Sequence, residues 1–117
     1  MVAPNIYSIT SIIGKTDVLA VPATATAITT CAANKVYKIN SLIIANIDGA
    51  LATDITVDIF RSSVAYKLAS TIAVPADATL VVISRDMGIY LEENDVLRLT
   101  AGAVNRLQAF CSYDIIG

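Results

Sequence analysis

The sequence predicts an all-β protein, a jelly-roll-like antiparallel β-sandwich of about eight strands, and three observations lead to this prediction. Short runs of alternating apolar and polar residues recur along the chain, and residues 54–61 are the clearest example. Turn residues separate these runs at the spacing expected of a sandwich or barrel. No segment with helical periodicity is long enough to compete. The 117 residues are therefore expected to form one domain, 1–117, stable without disulfides or a metal.

The first thirty residues are predicted to contain one imperfect strand and one weak strand. Residues 5–13 alternate imperfectly and are expected to lie at a sheet edge or a subunit contact, ending at Gly14-Lys15. Residues 18–30 are rich in Ala and Thr, which carry little bulk to fix a register, so one weak strand is predicted near residues 25–30. Because the opening segment lacks a full core face of its own, residues 1–13 are interpreted as an edge strand or an interaction arm.

A hairpin is predicted at the centre of the sheet, formed by residues 36–47 and 54–61 and opened by Asp48-Gly49. In the second strand the core face is predicted to be Ile55, Val57 and Ile59, with Asp54, Thr56 and Asp58 in solvent. In the first strand the better core face is Tyr37, Ile39, Ser41, Ile43, Ala45 and Ile47, although Leu42 and Ile44 make the opposite face apolar as well.

The rest of the chain is predicted to add one strand, a buried run and a second hairpin. After a turn at Ser62-Ser63, residues 65–72 are expected to pair back. Residues 80–83 show no alternation and are predicted to be buried on both faces. The segments that follow are a break at 85–88, a short strand at 89–91, a solvated acidic turn at 92–95, and a final hairpin of 96–101 with 107–116.

The composition predicts a protein partner and argues against nucleic acid and membrane partners. Hydrophobic residues make up 56% of the chain and charged residues 15%, against roughly 45–50% and 25% in an average soluble domain. Some of this apolar excess is expected to be covered by another chain. A net charge of −2 without basic clusters argues against nucleic acid and membrane partners. The start of the chain lacks the features of a signal peptide, so use without export is expected.

No catalytic, cofactor-binding or metal-binding residue is predicted, and no cofactor, so an enzyme is not expected. The chain has no His and no Trp, which removes the usual general base and the commonest metal ligand. Cys31 and Cys111 are interpreted as two buried thiols, with a disulfide as the alternative. One acidic group is interpreted as a solvated turn, with a calcium site as the alternative: Asp86, Glu92, Glu93 and Asp95. The tyrosines are expected at core margins or subunit contacts: Tyr7, Tyr37, Tyr66, Tyr90 and Tyr113.

Four phrases carry a family resemblance: Ala-Pro-Asn-Ile at 3–6, Asn-Lys-Val-Tyr-Lys-Ile-Asn-Ser at 34–41, Val-Pro-Ala-Asp-Ala-Thr-Leu-Val at 74–81, and Ile-Tyr-Leu-Glu-Glu-Asn-Asp at 89–95. Together they resemble small β-sandwich virion structural proteins of tailed phages of cyanobacteria and marine bacteria, over nearly the whole chain. The resemblance implies a capsid decoration (cement) protein in the virion, assembled in the host cytoplasm, that forms a homotrimer and binds the major capsid protein. The alternative is a tail, neck or fibre module, including a glycan-binding adhesin. The resemblance identifies no functional residue.

Overall fold

The computed structural model describes residues 11–117 and contains two antiparallel sheets packed face to face. A short 3-10 helix, Arg85–Met87, interrupts one sheet. The strands within the described part of the chain are β1 (Ile12–Ala20), β2 (Thr26–Thr30), β3 (Val36–Asn46), β4 (Thr53–Arg61), β5 (Val64–Val74), β6 (Thr79–Ile83), β7 (Ile89–Leu91), β8 (Val96–Ala101) and β9 (Leu107–Ile116). No helix in this part is long and apolar enough to cross a membrane.

The strand order is that of a jelly roll, which confirms the predicted fold class. Sheet I has the order β1-β9-β3-β6, and sheet II has the order β2-β8-β4-β5, so most connections cross from one sheet to the other. The remaining strand, β7, also pairs with β3, at residues 37–39, while β6 pairs with residues 42–45 of β3. These two short strands share one position at the edge of sheet I. Nine strands therefore fill eight positions, in line with the predicted count.

Both predicted hairpins are wrong, because their strands lie in different sheets. β3 belongs to sheet I and β4 to sheet II, and β8 and β9 are separated in the same way. Gly49 does not adopt the positive φ that a tight hairpin would use. Instead, the buried Asn46 side chain donates hydrogen bonds to the carbonyl oxygens of Leu51 (3.0 Å) and Val74 (2.9 Å), which holds the connection as it crosses between the sheets.

The first strand extends beyond its predicted end. It does not end at Gly14-Lys15 but continues to Ala20, because every residue of β1 has a partner in β9 without a shift in register. The weak strand predicted near residues 25–30 is confirmed as β2. Residues 1–10, which make up most of the predicted arm and of the strand at 5–13, lie outside the described residues.

A β-bulge reverses the faces of β3. Tyr37 and Ile39 point into the core as predicted, but the register shifts between Ile39 and Ser41, and from there Leu42 and Ile44 point inward. The predicted core face is therefore wrong beyond Ile39. The prediction that residues 80–83 are buried on both faces is also wrong: within this run only Ile83 is fully buried.

The core lies between the two sheets and is made of their inward faces. The predicted core faces of β4 and β9 are largely confirmed, because Ile55 and Val57 are fully buried and Ile59 packs against the core. In β9 the buried face continues through Leu107, Ala109, Cys111 and Tyr113. The predicted turn at Ser62-Ser63 is also confirmed, with positive φ at both residues, and it joins β4 to β5 as the sequence indicated.

Candidate assembly surface

Four apolar side chains form a continuous row across the outer face of sheet I, which we call the apolar row. Each strand contributes one residue at the same level of the register: Val18, Phe110, Ile43 and Val81. Val18 and Val81, at the two edges, are 67% and 55% exposed, and the two residues between them are half-buried. Three strand spacings make the row roughly 14 Å wide. Val81 is exposed because it belongs to this outward-facing row, at the edge of the sheet.

The levels on either side of the apolar row carry small, uncharged side chains. One level contains hydroxyl groups, and the Thr16 and Ser112 hydroxyls lie 3.0 Å apart. The other level is Ala20, Gln108, Ala45 and Thr79. Charged side chains begin beyond the hydroxyl level, where Asp114 is the register partner of Lys38. Such a flat, uncharged area suits contact with another protein surface, since interface centres are depleted in charge.

The outer face of sheet II is different, because its charges neutralise one another. Arg98 Nε donates to Asp58 Oδ1 at 2.8 Å, and the Arg98 guanidinium also lies 4.1 Å from the centre of the Phe60 ring. Lys67 is the register partner of Asp58 on its other side. Asp58 is thus only 4% exposed, and its predicted position in solvent is wrong. Within residues 11–117, the outer face of sheet I therefore differs from that of sheet II in having a central area without charged side chains.

The acidic turn at 92–95 is solvated as predicted at Glu92 and Asn94, but Asp95 is buried. Arg61 Nε lies 2.9 Å from both carboxylate oxygens of Asp95, and the Glu92 backbone N–H donates to Asp95 Oδ2 at 2.8 Å. Arg61 also forms an ion pair with Glu92 at 3.0 Å. Glu93 Oε2 accepts a hydrogen bond of 2.7 Å from the backbone N–H of Asn34. These carboxylates therefore hold the turn against β4 and the β2–β3 connection.

The two cysteines are buried, as predicted, and the structure has them as separate thiols. Cys31 Sγ lies within hydrogen-bond distance of the carbonyl oxygens of Lys35 (3.3 Å) and Leu91 (3.4 Å), and its S–H can donate to either. Burial raises the pKa of the Cys31 thiol to about 11, and burial also raises that of Cys111 to about 11. At neutral pH both are protonated, which makes them poor nucleophiles.

Chelators and reductants are expected to leave the melting temperature unchanged. Within residues 11–117 no group of His, Cys, Asp and Glu side chains has the arrangement of a metal site, and the acidic residues are bound to Arg61 and to backbone N–H groups. Thermal unfolding with and without EDTA, and with and without dithiothreitol, measures this. A fall of many degrees with EDTA would reveal a structural metal, and a fall with dithiothreitol would reveal a disulfide.

The tyrosines divide into a buried pair and two exposed residues. Tyr37 and Tyr113 stack with their ring centres 5.0 Å apart, and Tyr113 donates a hydrogen bond of 2.9 Å to Asp17. Burial, and then this bond to a carboxylate, raises the pKa of Tyr113. Tyr66 and Tyr90 are exposed, and Tyr7 lies outside the described residues. The buried pair thus belongs to the core, whereas Tyr66 and Tyr90 are 59% and 44% exposed at the surface.

Comparison with known proteins supports the fold and goes no further. No family model and no curated protein matches the chain. The structure is similar to a solved structure reported under the description "Bacillus endospore appendages form a novel family of disulfide-linked pili". The alignment covers 99% of this chain and 96% of that one, with a TM-score of 0.56 and 15% sequence identity. At this identity the two proteins share a fold, and the likeness establishes no family.

Proposed function

We propose that this chain is a structural protein of a tailed-phage virion, a decoration (cement) protein that binds the major capsid protein and stabilises the head. The observation that carries the proposal is the outer face of sheet I, where the apolar row lies among uncharged residues. The reason for proposing a phage particle is the resemblance of four sequence segments to virion proteins of tailed phages, described above. The buried thiols and the neutralised carboxylates offer no catalytic arrangement among the described residues, in keeping with a structural role.

A cement protein acts by mass action. A protein that binds the assembled shell, and not its separated subunits, shifts the equilibrium away from disassembly. Each contact is modest in area, but the contacts repeat over the head and link subunits that otherwise meet through their own edges. The apolar row and the levels beside it support this role because they can be covered without burying a charge.

The structural likeness to a pilus protein is compatible with a role in assembly but does not extend to its chemistry. That protein is described as forming disulfide-linked pili. In this chain Cys31 and Cys111 are 1% and 0% exposed. We therefore propose that folded copies assemble through noncovalent contacts of their surfaces rather than through these two thiols.

Placing a charge on the apolar row is expected to remove the protein from capsids. Val81→Asp puts a carboxylate at the exposed end of the row, where covering it would require an unpaired charge to lose water. The matched control is Ala65→Asp, on an exposed residue of the outer face of sheet II. Phage particles assembled with each variant are imaged for occupancy and heated to measure head stability.

The expected result is low occupancy and earlier head disruption for Val81→Asp, with Ala65→Asp resembling the unmodified protein. Full occupancy of both variants would contradict the assignment of sheet I as the contact surface. A particle map with the intact protein only on the tail or neck would contradict the cement function and favour the tail-module alternative.

A further inference from the structure

The edge of sheet I formed by β1 has the features of a pairing edge. All nine residues of β1 pair with β9 on one side without a bulge, so the strand is regular along its length. On its other side it has no strand partner within residues 11–117. Its apolar residues Ile12, Ile13 and Val18 are 58%, 53% and 67% exposed. A long, regular and apolar edge is a template for pairing with another strand.

Two opposite charges stand symmetrically about the middle of this strand. Lys15 and Asp17 flank Thr16 and share the inward face of β1, since their register partners Tyr113 and Cys111 point into the core. Asp17 Oδ2 accepts hydrogen bonds from Thr29 (3.0 Å) and Tyr113 (2.9 Å). Its other oxygen has no hydrogen-bond partner among the described residues, and none of the ion pairs in that part of the chain involves Lys15.

Inward-pointing charges often protect an edge strand from pairing, because a partner strand would leave them unpaired. Here the two charges are opposite in sign and symmetric about Thr16, so a second copy of the same edge can pair with both of them. Two identical edges pair in antiparallel fashion about a two-fold axis normal to the sheet, and such an axis places one residue opposite itself. With Lys15 or Asp17 on the axis, like charges would meet. With Thr16 on the axis, Lys15 of each copy lies opposite the partner's Asp17.

We propose that this chain forms a two-fold dimer through β1, with Thr16 opposite the partner's Thr16. In this register all nine residues of Ile12–Ala20 find a partner, because the axis passes through the middle of the strand. Two charge pairs form on the inward face, and Ile13 packs beside the partner's Leu19, so that the exposed side chain of Ile13 is covered. The two copies of sheet I become one continuous sheet.

The dimer goes beyond the proposed function and does not depend on it. It is a property of the free protein in solution, whereas the cement function concerns occupancy of a particle through the outer face. It also replaces the trimer that the family resemblance implies, because a two-fold contact closes with two copies. The other edges, β2, β5 and β6 with β7, lack this self-complementary arrangement of charge: β5 carries the single charge of Lys67, and the other three strands carry none.

Cysteine cross-linking tests the register. In Thr16→Cys the new thiol faces its own copy at the Cα separation of about 4.5–5.5 Å found between opposite residues, within the range of a disulfide. The matched control is Val18→Cys, which is also exposed but lies about 13 Å along the strand from its own copy. The native cysteines are buried and do not compete.

Mild oxidation is expected to link Thr16→Cys almost completely into dimers, and Val18→Cys only slowly. Cross-linking of Val18→Cys as fast as Thr16→Cys, or of neither variant, would overturn the proposed register.

Sedimentation measures the assembly itself. The unmodified protein is expected to sediment as a dimer at micromolar concentration. Lys15→Glu places two like-charge pairs across the axis and is expected to weaken the dimer by at least about tenfold. Lys38→Glu, which makes the same charge change in the interior of sheet I, is expected to leave the dimer unchanged. A concentration-independent monomer would mean that the two charges protect the edge, and a trimer would mean that another surface makes the contact. Either result overturns the proposal.

Discussion

Replacing Arg61 with alanine is expected to lower the free energy of unfolding by about 3 kcal/mol, the lower end of the range for a buried ion pair that loses one partner, because Arg61 itself is 42% exposed. The side chain of Asp95 is only 3% exposed, and the Arg61 guanidinium contacts both of its oxygens. Without the guanidinium, the Glu92 backbone N–H is the remaining donor to that carboxylate within residues 11–117. The variant therefore leaves a negative charge away from water with too few hydrogen bonds.

Replacing the other member of the ion pair, Asp95, is expected to lower the free energy of unfolding by less. Asp95→Asn removes the buried charge, and the side chain of Arg61, which is 42% exposed, can be hydrated again. We expect a loss of about 1–3 kcal/mol, the cost of a weakened buried hydrogen-bond network. Urea unfolding measures both variants, with Arg85→Ala as the control at an exposed arginine. If Arg61→Ala unfolds like the control, or if Asp95→Asn is the more severe change, the ion pair between Arg61 and Asp95 does not stabilise the fold as described.

Alkaline pH is expected to destabilise the protein by a few kcal/mol between about pH 9 and pH 11. In the unfolded chain the thiols ionise near their ordinary pKa of 9.0, whereas burial raises the folded pKa values of Cys31 and Cys111 to about 11. Between these values the unfolded state releases protons that the folded state retains, so stability falls as the pH rises. The stabilisation is complete below pH 9 and is lost as the pH approaches 11, at about 1.4 kcal/mol per pKa unit for each thiol.

The double variant Cys31→Ala with Cys111→Ala isolates this effect. It is expected to be less stable at pH 8, because both side chains lie in the core, but its free energy of unfolding should change less steeply between pH 9 and 11. The comparison is therefore between slopes of stability against pH, measured by urea unfolding. Equal slopes in the two proteins would mean that the thiols do not cause the loss. The raised pKa of Tyr113 acts in the same direction in both proteins.

The sequence predicted the strands well but paired them poorly, and the reason is the range over which each signal acts. Alternation within residues 54–61 depends on which side chains reach the core, so β4 and its inward face were correct. The turn at Ser62-Ser63 is local, so the pairing of β4 with β5 was also correct. β3 pairs with β9, more than sixty residues away, on one side and with β6 and β7 on the other, and no pattern within residues 36–47 indicates these partners. The single-residue bulge near Asn40 then exchanged the two faces of β3.

The candidate surface was predicted only in outline. The apolar excess indicated that another chain covers part of the protein, but four residues from four strands form the apolar row, and only the register aligns them. A usable signal was present in Leu80 to Ile83, where apolar residues occupy both faces: that run reflected an apolar outer surface rather than burial on both sides. The burial of Asp95 was missed because Arg61, its partner, is 34 residues away.

The pairing of β1 with β9 also constrains when the molecule can act during its synthesis. Translation produces β1 early and β9 last among the described strands, and sheet I has no second strand beside β1 until residues 107–116 have left the ribosome. Until then β1 has no neighbouring strand to pair with in sheet I, and an extended strand alone is not stable in water. Incomplete chains in a polysome therefore present neither a finished edge nor an apolar row, and mutual recognition begins only with chains that have been translated through β9.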